Sequence, residues 1–351
     1  MNYKSFVIKI MAISLVCVFS VGSFIFYIDP MWTFGHEHKY NDVQTVINER
    51  QQKTNRILFQ PFHYDTLLLG SSRTTYINQT DFENMKVFNF AVSNASIQEY
   101  NSLIELAKQK RGKEFERIII GVDFFKSSIK ESKAKKSLNQ YIQTANEPFY
   151  RYKNLLSMDL LDYSWQNFKM SRDNKVLEER NYNRNNIADA KDIAPEVMEK
   201  QTKEKIQKFR DVFYGDTFEY NPEYKAILSQ LKKNNPNTEF IIFTTPISSP
   251  LFQAMAEEGR LPDYERWLND ITDVFGGVYN FMYPNSVTGN LENYFDGHHF
   301  YPNVGKLIAK RISLGSNSET PGDFGTYLDH KSLAAHLLEI RKQNEPLLVN
   351  R

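Results

Sequence analysis

Cysteine is almost absent: Cys17 is the one thiol in 351 residues. An intrachain disulfide and a cysteine-based metal site are therefore excluded. Excess charge of either sign is absent too, with 43 basic against 42 acidic residues. A nucleic-acid binder working by bulk electrostatics carries a basic surplus, so no nucleic-acid partner is expected. No internal repeat is present. His36 and His38 lie close together, but no carboxylate is spaced to complete a metal site with them. No metal and no organic cofactor is expected. Aromatics, in contrast, are plentiful: 26 Phe and 20 Tyr supply material for a sizeable core.

Long apolar runs are also scarce, with one exception. Ile10 to Ile28 is uncharged and mostly apolar, close to the roughly 20 residues that a helix needs to cross a bilayer. Lys4 and Lys9 precede it and Asp29-Pro30 follow it. The positive-inside rule then places the amino terminus in the cytoplasm and the bulk of the chain outside. Tyr27 and Trp32 stand where interfacial aromatics are expected. Val21-Gly22-Ser23, the small-residue cleavage candidate, lies inside the apolar run, so an uncleaved anchor is expected rather than a signal peptide. Val16 and Val18 flank Cys17 where a lipoprotein signal would want small residues. An exported domain without cysteine fits a bacterial surface protein.

Beyond the anchor, Thr66-Leu67-Leu68-Leu69 is a short apolar run suited to a strand buried on both faces. Gly70 ends it, and Ser71, Ser72 and Thr74 offer hydroxyls where a helix is expected to begin. A hydroxyl at the carboxyl end of a buried strand, facing helical N–H groups, is well placed to act as a nucleophile. A glycine turn with a serine N-cap describes the same residues without any chemistry. Val87–Val92 and Arg117–Phe125 read as two further strands, separated by a helix over about 97–110. This alternation predicts a parallel, doubly wound sheet. Ligands in such sheets sit beyond the carboxyl ends of the strands. Ser72, the loop around Asn94 and Asp123 all fall on that edge. Ser96 and Glu99 form a capping-box pattern, which explains Ser96 by structure alone.

Residues 126–220 break the rhythm and read as a helical insertion, with helices over 155–170 and 197–213 and an exposed Asn/Arg loop at 181–186. Regular pattern returns with a helix over 222–234, a strand over 239–245, a helix over 263–275 and a short strand over 277–281. Ser248 and Ser249 read as turn residues between Pro246 and Pro250. Asp296-Gly297-His298-His299-Phe300-Tyr301-Pro302 follows on a loop, then a helix to Ile312. Histidine is suited to take a serine proton, and a carboxylate three residues earlier can fix its tautomer. A His-His pair packing a loop between Phe295 and Phe300 is the non-catalytic alternative.

A serine after an early strand and an Asp-x-x-His near the end of an α/β domain resemble the SGNH (GDSL-like) hydrolases. The likeness covers residues 60–312. Within that superfamily it is to membrane-tethered members that work on cell-envelope polymers, including the D-alanyl transfer protein of teichoic acid synthesis and polysaccharide O-acetyltransferases. The resemblance implies an α/β, SGNH-like three-layer fold with a parallel sheet. It implies that Ser72, two residues after Gly70, is the nucleophile, His299 the base and Asp296 its partner, with His298 the alternative base. It places Asn94, or a neighbour, where a loop residue gives its N–H to the oxyanion, although the usual glycine is missing. It places Asp123 where the family has an Asn that donates to the oxyanion. A carboxylate there is either protonated, or orients other groups, or takes no part. Arg73 is read as pairing with a surface carboxylate, the alternative being an anionic acceptor held by its guanidinium.

The expected organisation is a transmembrane segment at 1–32, a juxtamembrane linker helix at 33–60, the α/β domain at 61–314 and a tail with a short helix at 315–351. The implied activity is that of a membrane-anchored, extracytoplasmic serine O-acyltransferase or esterase. Its acceptor would be an envelope polysaccharide or teichoic polymer, and the resemblance implies an MBOAT-type membrane acyl carrier as partner. The alternative is a non-catalytic binding or assembly protein on the same fold, which the substitutions at Asp123 and at the Asn94 loop favour.

Overall fold

Five short apolar runs assemble into the parallel part of a single sheet: β1 (Thr66–Leu69), β2 (Val87–Asn89), β3 (Arg117–Val122), β4 (Glu239–Thr244) and β5 (Gly277–Asn280). Every residue of β1 and β2 is buried, which is why apolar residues follow one another along them (Leu67 to Leu69, Val87-Phe88) rather than alternating with exposed polar ones. A sixth strand, β6 (Thr326–Asp329), pairs antiparallel with β5, Val278 lying opposite Leu328. The order across the sheet is β2-β1-β3-β4-β5-β6. Thr66 pairs with Val87 on one side and Arg117 on the other. The chain thus runs from β1 outward to β2 and then returns to β3 on β1's other flank. The carboxyl ends of β1 and β3 border this reversal, the place where open α/β sheets form their crevice.

The structure is a computed structural model and describes residues 3–134, 137–177 and 180–348. The chain divides into two units, Met1–Phe62 with Leu138–Lys191, and His63–Ser137 with Asp192–Arg351. The second holds the sheet. Its helices include Tyr100–Arg111, closed by Gly112 in the left-handed region, together with Pro195–Phe209, Tyr224–Lys233, Leu261–Phe275 and Pro302–Leu314. The core on this unit is aromatic: Phe124 packs its ring against Phe218, Tyr264 and Trp267.

The first unit begins with the apolar helix Tyr3–Ile28, 26 residues long and apolar enough to cross a membrane. Asp29 ends it with φ at 51°. Its carboxylate accepts from the N–H groups of Thr33, Phe34 and Gly35 and from Arg184 at 2.6 Å. The helix Glu49–Phe59 is buried along most of its length although its residues are polar. The burial is tolerable because the amides are satisfied: Gln52 donates to the carbonyls of Pro30 and Thr45, and Asn55 to that of Met31.

Several boundaries differ from those the sequence suggests. The stretch 33–60 is not a plain linker helix. It contains a two-residue strand, Gln44–Thr45, paired with Asn181–Tyr182. The 126–220 stretch is not one insertion, since 138–191 belongs to the first unit and 192–220 to the second. The 181–186 loop is not exposed: Arg184 and Asn186 are buried, Arg184 because Asp29 meets its charge. Ser249–Glu257 is a helix rather than a turn, with Pro250 in its first turn. The tail beyond 314 contributes β6 and the helix Leu333–Leu348 to the second unit.

Candidate active site

The turn after β1 is shaped by two glycines that make room for one threonine. Gly70 has φ at 157°, and a Cβ there would fall 2.1 Å from Thr74 Oγ1. A Cβ on Gly121 in β3 would fall 2.3 Å from the same atom. Thr74 fills the space between them, and Ser71, Ser72 and Arg73 are carried on the turn it closes. Thr75 Oγ1 donates to the Ser72 carbonyl at 2.6 Å. The element that follows is a single 3-10 turn, Thr74–Tyr76, not the helix expected. The dipole of a long helix is therefore not what favours charge at Ser72, because three residues cannot build one.

The second half of the site is the loop 294–301, pinned by a bridge between Tyr294 and Phe300. Phe295 donates its N–H to the His299 carbonyl at 2.8 Å. Gly297 turns in the left-handed region, and a Cβ on it would press on Thr202 and Ser248. The helix Pro302–Leu314 then brings Gly305 against the Ser72 turn: a Cβ at Gly305 would sit 2.3 Å from the Tyr76 carbonyl oxygen. That close approach holds the two loops together.

Ser72 Oγ lies 2.9 Å from His299 Nε2. His299 Nδ1 lies 3.0 Å from Asp296 Oδ2 and 3.3 Å from Oδ1. A carboxylate only accepts, so the proton sits on Nδ1 and Nε2 is free to accept from the serine. Asp296 also takes the N–H groups of His298 at 3.0 Å and His299 at 2.8 Å, and Lys205 Nζ reaches its Oδ2 at 2.7 Å. Burial alone would raise the Asp296 carboxyl. The His299 ring, His298 and Lys205 outweigh it and hold the group well below the usual carboxylate range. Asp296 is mostly buried, while Ser72 and His299 keep partial access to water.

Arg73 and Asp123 occupy the ends of β1 and β3. The guanidinium meets Asp123 Oδ1 at 2.5 Å with both side chains 1% exposed. Thr245, just past β4, donates Oγ1 to the same oxygen at 2.5 Å, and its carbonyl accepts from Arg73 at 3.3 Å. The carboxylate facing Arg73 is thus a buried one, not the surface group expected, and Asp123 orients Arg73. Asn94, on the loop after β2, is exposed and sits at φ 58°. Its side-chain oxygen accepts from Lys126 Nζ. Val92 N–H bonds the Gly70 carbonyl at 3.1 Å, tying this loop to the serine turn.

His298 faces the other way. It packs against Phe209 and Phe125 and edge-on to His299. Its Nδ1 finds no partner among the described residues. Burial, then Arg73 and His299, push this imidazole well below its ordinary value, so it stays neutral. No bond joins it to Ser72 among the described residues, and His299 holds the position of a base.

Lys205 and Thr245 carry no signal in the sequence, and Thr74 is visible there only as a hydroxyl after the first strand, not as the side chain that two glycines make room for. Lys205 is one of several lysines on Pro195–Phe209, and only the packing of that helix against Gly297 reveals its place. Among the described residues no cluster of three or more metal-ligating side chains occurs. Comparison with models of known families and with curated proteins returns no match.

Proposed function

We propose that the chain is a serine O-acyltransferase or esterase that works through an acyl-Ser72 intermediate. The observation that carries this reading is the Ser72–His299–Asp296 chain, with steps of 2.9 and 3.0 Å. A serine hydroxyl is a weak nucleophile until a base takes its proton. His299 Nε2 takes it as Oγ bonds to the acyl carbon, and Asp296 stabilises the imidazolium. Collapse of the tetrahedral centre breaks the bond to the leaving alcohol, which recovers the proton from His299. Water or a sugar or polyol hydroxyl then attacks the acyl-serine by the reverse path. Asp123 donates nothing to the oxyanion, because a carboxylate only accepts, here from Arg73 and Thr245. Backbone N–H groups of the Ser72 turn and the Asn94 loop are the donors in this scheme.

The serine after β1, the strand order and the Asp-x-x-His after β5 support an SGNH-like fold. The apolar helix, with Lys4 and Lys9 before it and Asp29 after it, supports a bacterial membrane-anchored domain facing outward. In that setting an envelope polysaccharide or teichoic polymer is the natural acceptor and an MBOAT-type acyl carrier the natural donor. One observation favours a second reading, a binding or assembly role: the carboxylate of Asp123 stands where an oxyanion donor is needed. Turnover of p-nitrophenyl acetate by the full chain in detergent separates the two. The catalytic reading expects hydrolysis that disappears in Ser72→Ala and His299→Ala. Equal background rates in all three proteins would leave the binding role.

A further inference from the structure

We infer that residues 149–168 form a second membrane contact, a monotopic apolar surface that dips into the outer leaflet beside the apolar helix. This rests on the reading that Tyr3–Ile28 crosses the bilayer. The segment comprises the short helix Tyr150–Lys153, the turn Asn154–Leu156 and the first eleven residues of the helix Met158–Asp173. It exposes an unusual set of large apolar side chains: Phe149 at 74%, Met158 at 68%, Tyr152, Leu156 and Trp165. Isolated apolar residues on a surface need no explanation, but these five fall within one short stretch, with the charged Lys153, Asp159 and Asp162 exposed among them, the mixture of an apolar surface and charged heads that an interfacial element carries.

The depth of this surface is set by what it packs on. Gly22 lies against the backbone of Leu155, its Cβ position 3.6 Å from the Leu155 carbonyl oxygen. Phe24 meets Trp165 at 6.1 Å and Phe168 at 5.9 Å between ring centres. Ile25 shares a buried cluster with Met31 and Leu160, against which Val21, Leu155 and Leu161 pack. At 1.5 Å per residue, Gly22 is about 9 Å inside the helix end at Ile28. The hydrocarbon layer takes roughly 20 residues of such a helix, so the uncharged run to Ile28 must lie in it or at its edge. Leu155 and its exposed neighbours are therefore held at the level of the acyl chains and headgroups. Interfacial elements bury their apolar face to about that depth, roughly 5–10 Å.

The chemistry of the rim agrees. Trp165 and Tyr152 are the residue types enriched at the headgroup level. Lys169 places its ammonium 5.8 Å from the centre of the Trp165 ring, and a cation beside an interfacial aromatic suits the headgroup level. The occupant is thus lipid rather than a soluble peptide, and the contact would fix the unit's tilt on the membrane.

The test uses the full chain in lipid-only vesicles and its single native thiol. A nitrobenzoxadiazole label on Cys17 reports the crossing helix. The same label on Leu156→Cys or Met158→Cys, each combined with Cys17→Ser, reports the proposed surface. Asp173→Cys, also combined with Cys17→Ser and in the charged stretch ending the second helix, is the aqueous reference. The proposal expects doxyl groups high on the acyl chain to quench most of the signal at 156 and 158. Doxyl groups deep in the bilayer should quench at 17, and neither should quench at 173. Quenching at 17 without quenching at 156 and 158 would overturn the proposal, leave the crossing helix standing and point to a protein partner over the patch. Absence of quenching at 17 would remove the crossing helix and the proposal with it.

Discussion

Arg73 and Asp123 meet at 2.5 Å, both almost wholly out of water, and Arg73 is the residue directly after Ser72. The pair joins the ends of the parallel strands β1 and β3, at the point where the strand order reverses. It anchors the serine turn from beneath.

Removing one member of a buried ion pair strands the other charge, at a cost of about 3–5 kcal/mol. Arg73→Met and Asp123→Leu should each destabilise the fold by an amount in that range, and the double variant by less than the sum. Urea denaturation of the four proteins measures the coupling. Additive losses would mean that the pair contributes little as a pair.

Asp296 holds the His299 ring and fixes its tautomer. Asp296→Asn should keep the fold and lower ester turnover by roughly 10³–10⁴-fold, the effect expected of a reversed hydrogen bond in such a triad. Lys205→Met leaves Asp296 its bonds to the His298 and His299 N–H groups and to the His299 ring. Its loss should be far smaller. Steady-state rates for the two variants distinguish a positioning carboxylate from one that merely balances Lys205.

Gly305 lies where helix Pro302–Leu314 touches the Ser72 turn. Gly305→Ala should drive the two apart, costing about 1–3 kcal/mol as overpacking does and reducing turnover with it. Gly322 has nothing within 4 Å of its Cβ position, so Gly322→Ala should stay within about 0.5 kcal/mol. Thermal melts and rates on both variants check this.

Lys53 is buried on Glu49–Phe59, its ammonium 4.8 Å from the Tyr182 ring. Burial pushes it down to about 7 from 10.5. Between those values the unfolded chain holds a proton that the folded chain has released. Stability should therefore rise with pH from about 7 toward 10, by at most about 1.4 kcal/mol per unit. Lys53→Met should flatten that rise and stabilise the protein at pH 7, which urea titrations at pH 7, 8 and 9 would show.

The sheet was legible in the sequence because β1 to β3 are almost wholly buried and β4, though exposed or half-buried at its start, carries the apolar run Phe240-Ile241-Ile242-Phe243. β6 was not: Thr326–Asp329 is a half-exposed edge strand whose pairing with β5 depends on tertiary contact. The polar helix Glu49–Phe59 misled for the opposite reason. Gln51, Gln52 and Asn55 are buried because backbone carbonyls distant in sequence accept from them. Ser72, Asp296 and His299 could be picked out because two short motifs have fixed internal spacing. Lys205 and Thr245 could not, since each reaches the site only through packing. Arg73 was misjudged because its partner, Asp123, lies fifty positions away, and nothing local says that both are buried.

The most direct test of the account is covalent. The full chain would be treated with a fluorophosphonate and the adduct located by peptide mass spectrometry. A single adduct on Ser72 is expected, absent from Ser72→Ala and greatly slowed in His299→Ala. No adduct on Ser72, or labelling that persists unchanged in Ser72→Ala, would contradict it.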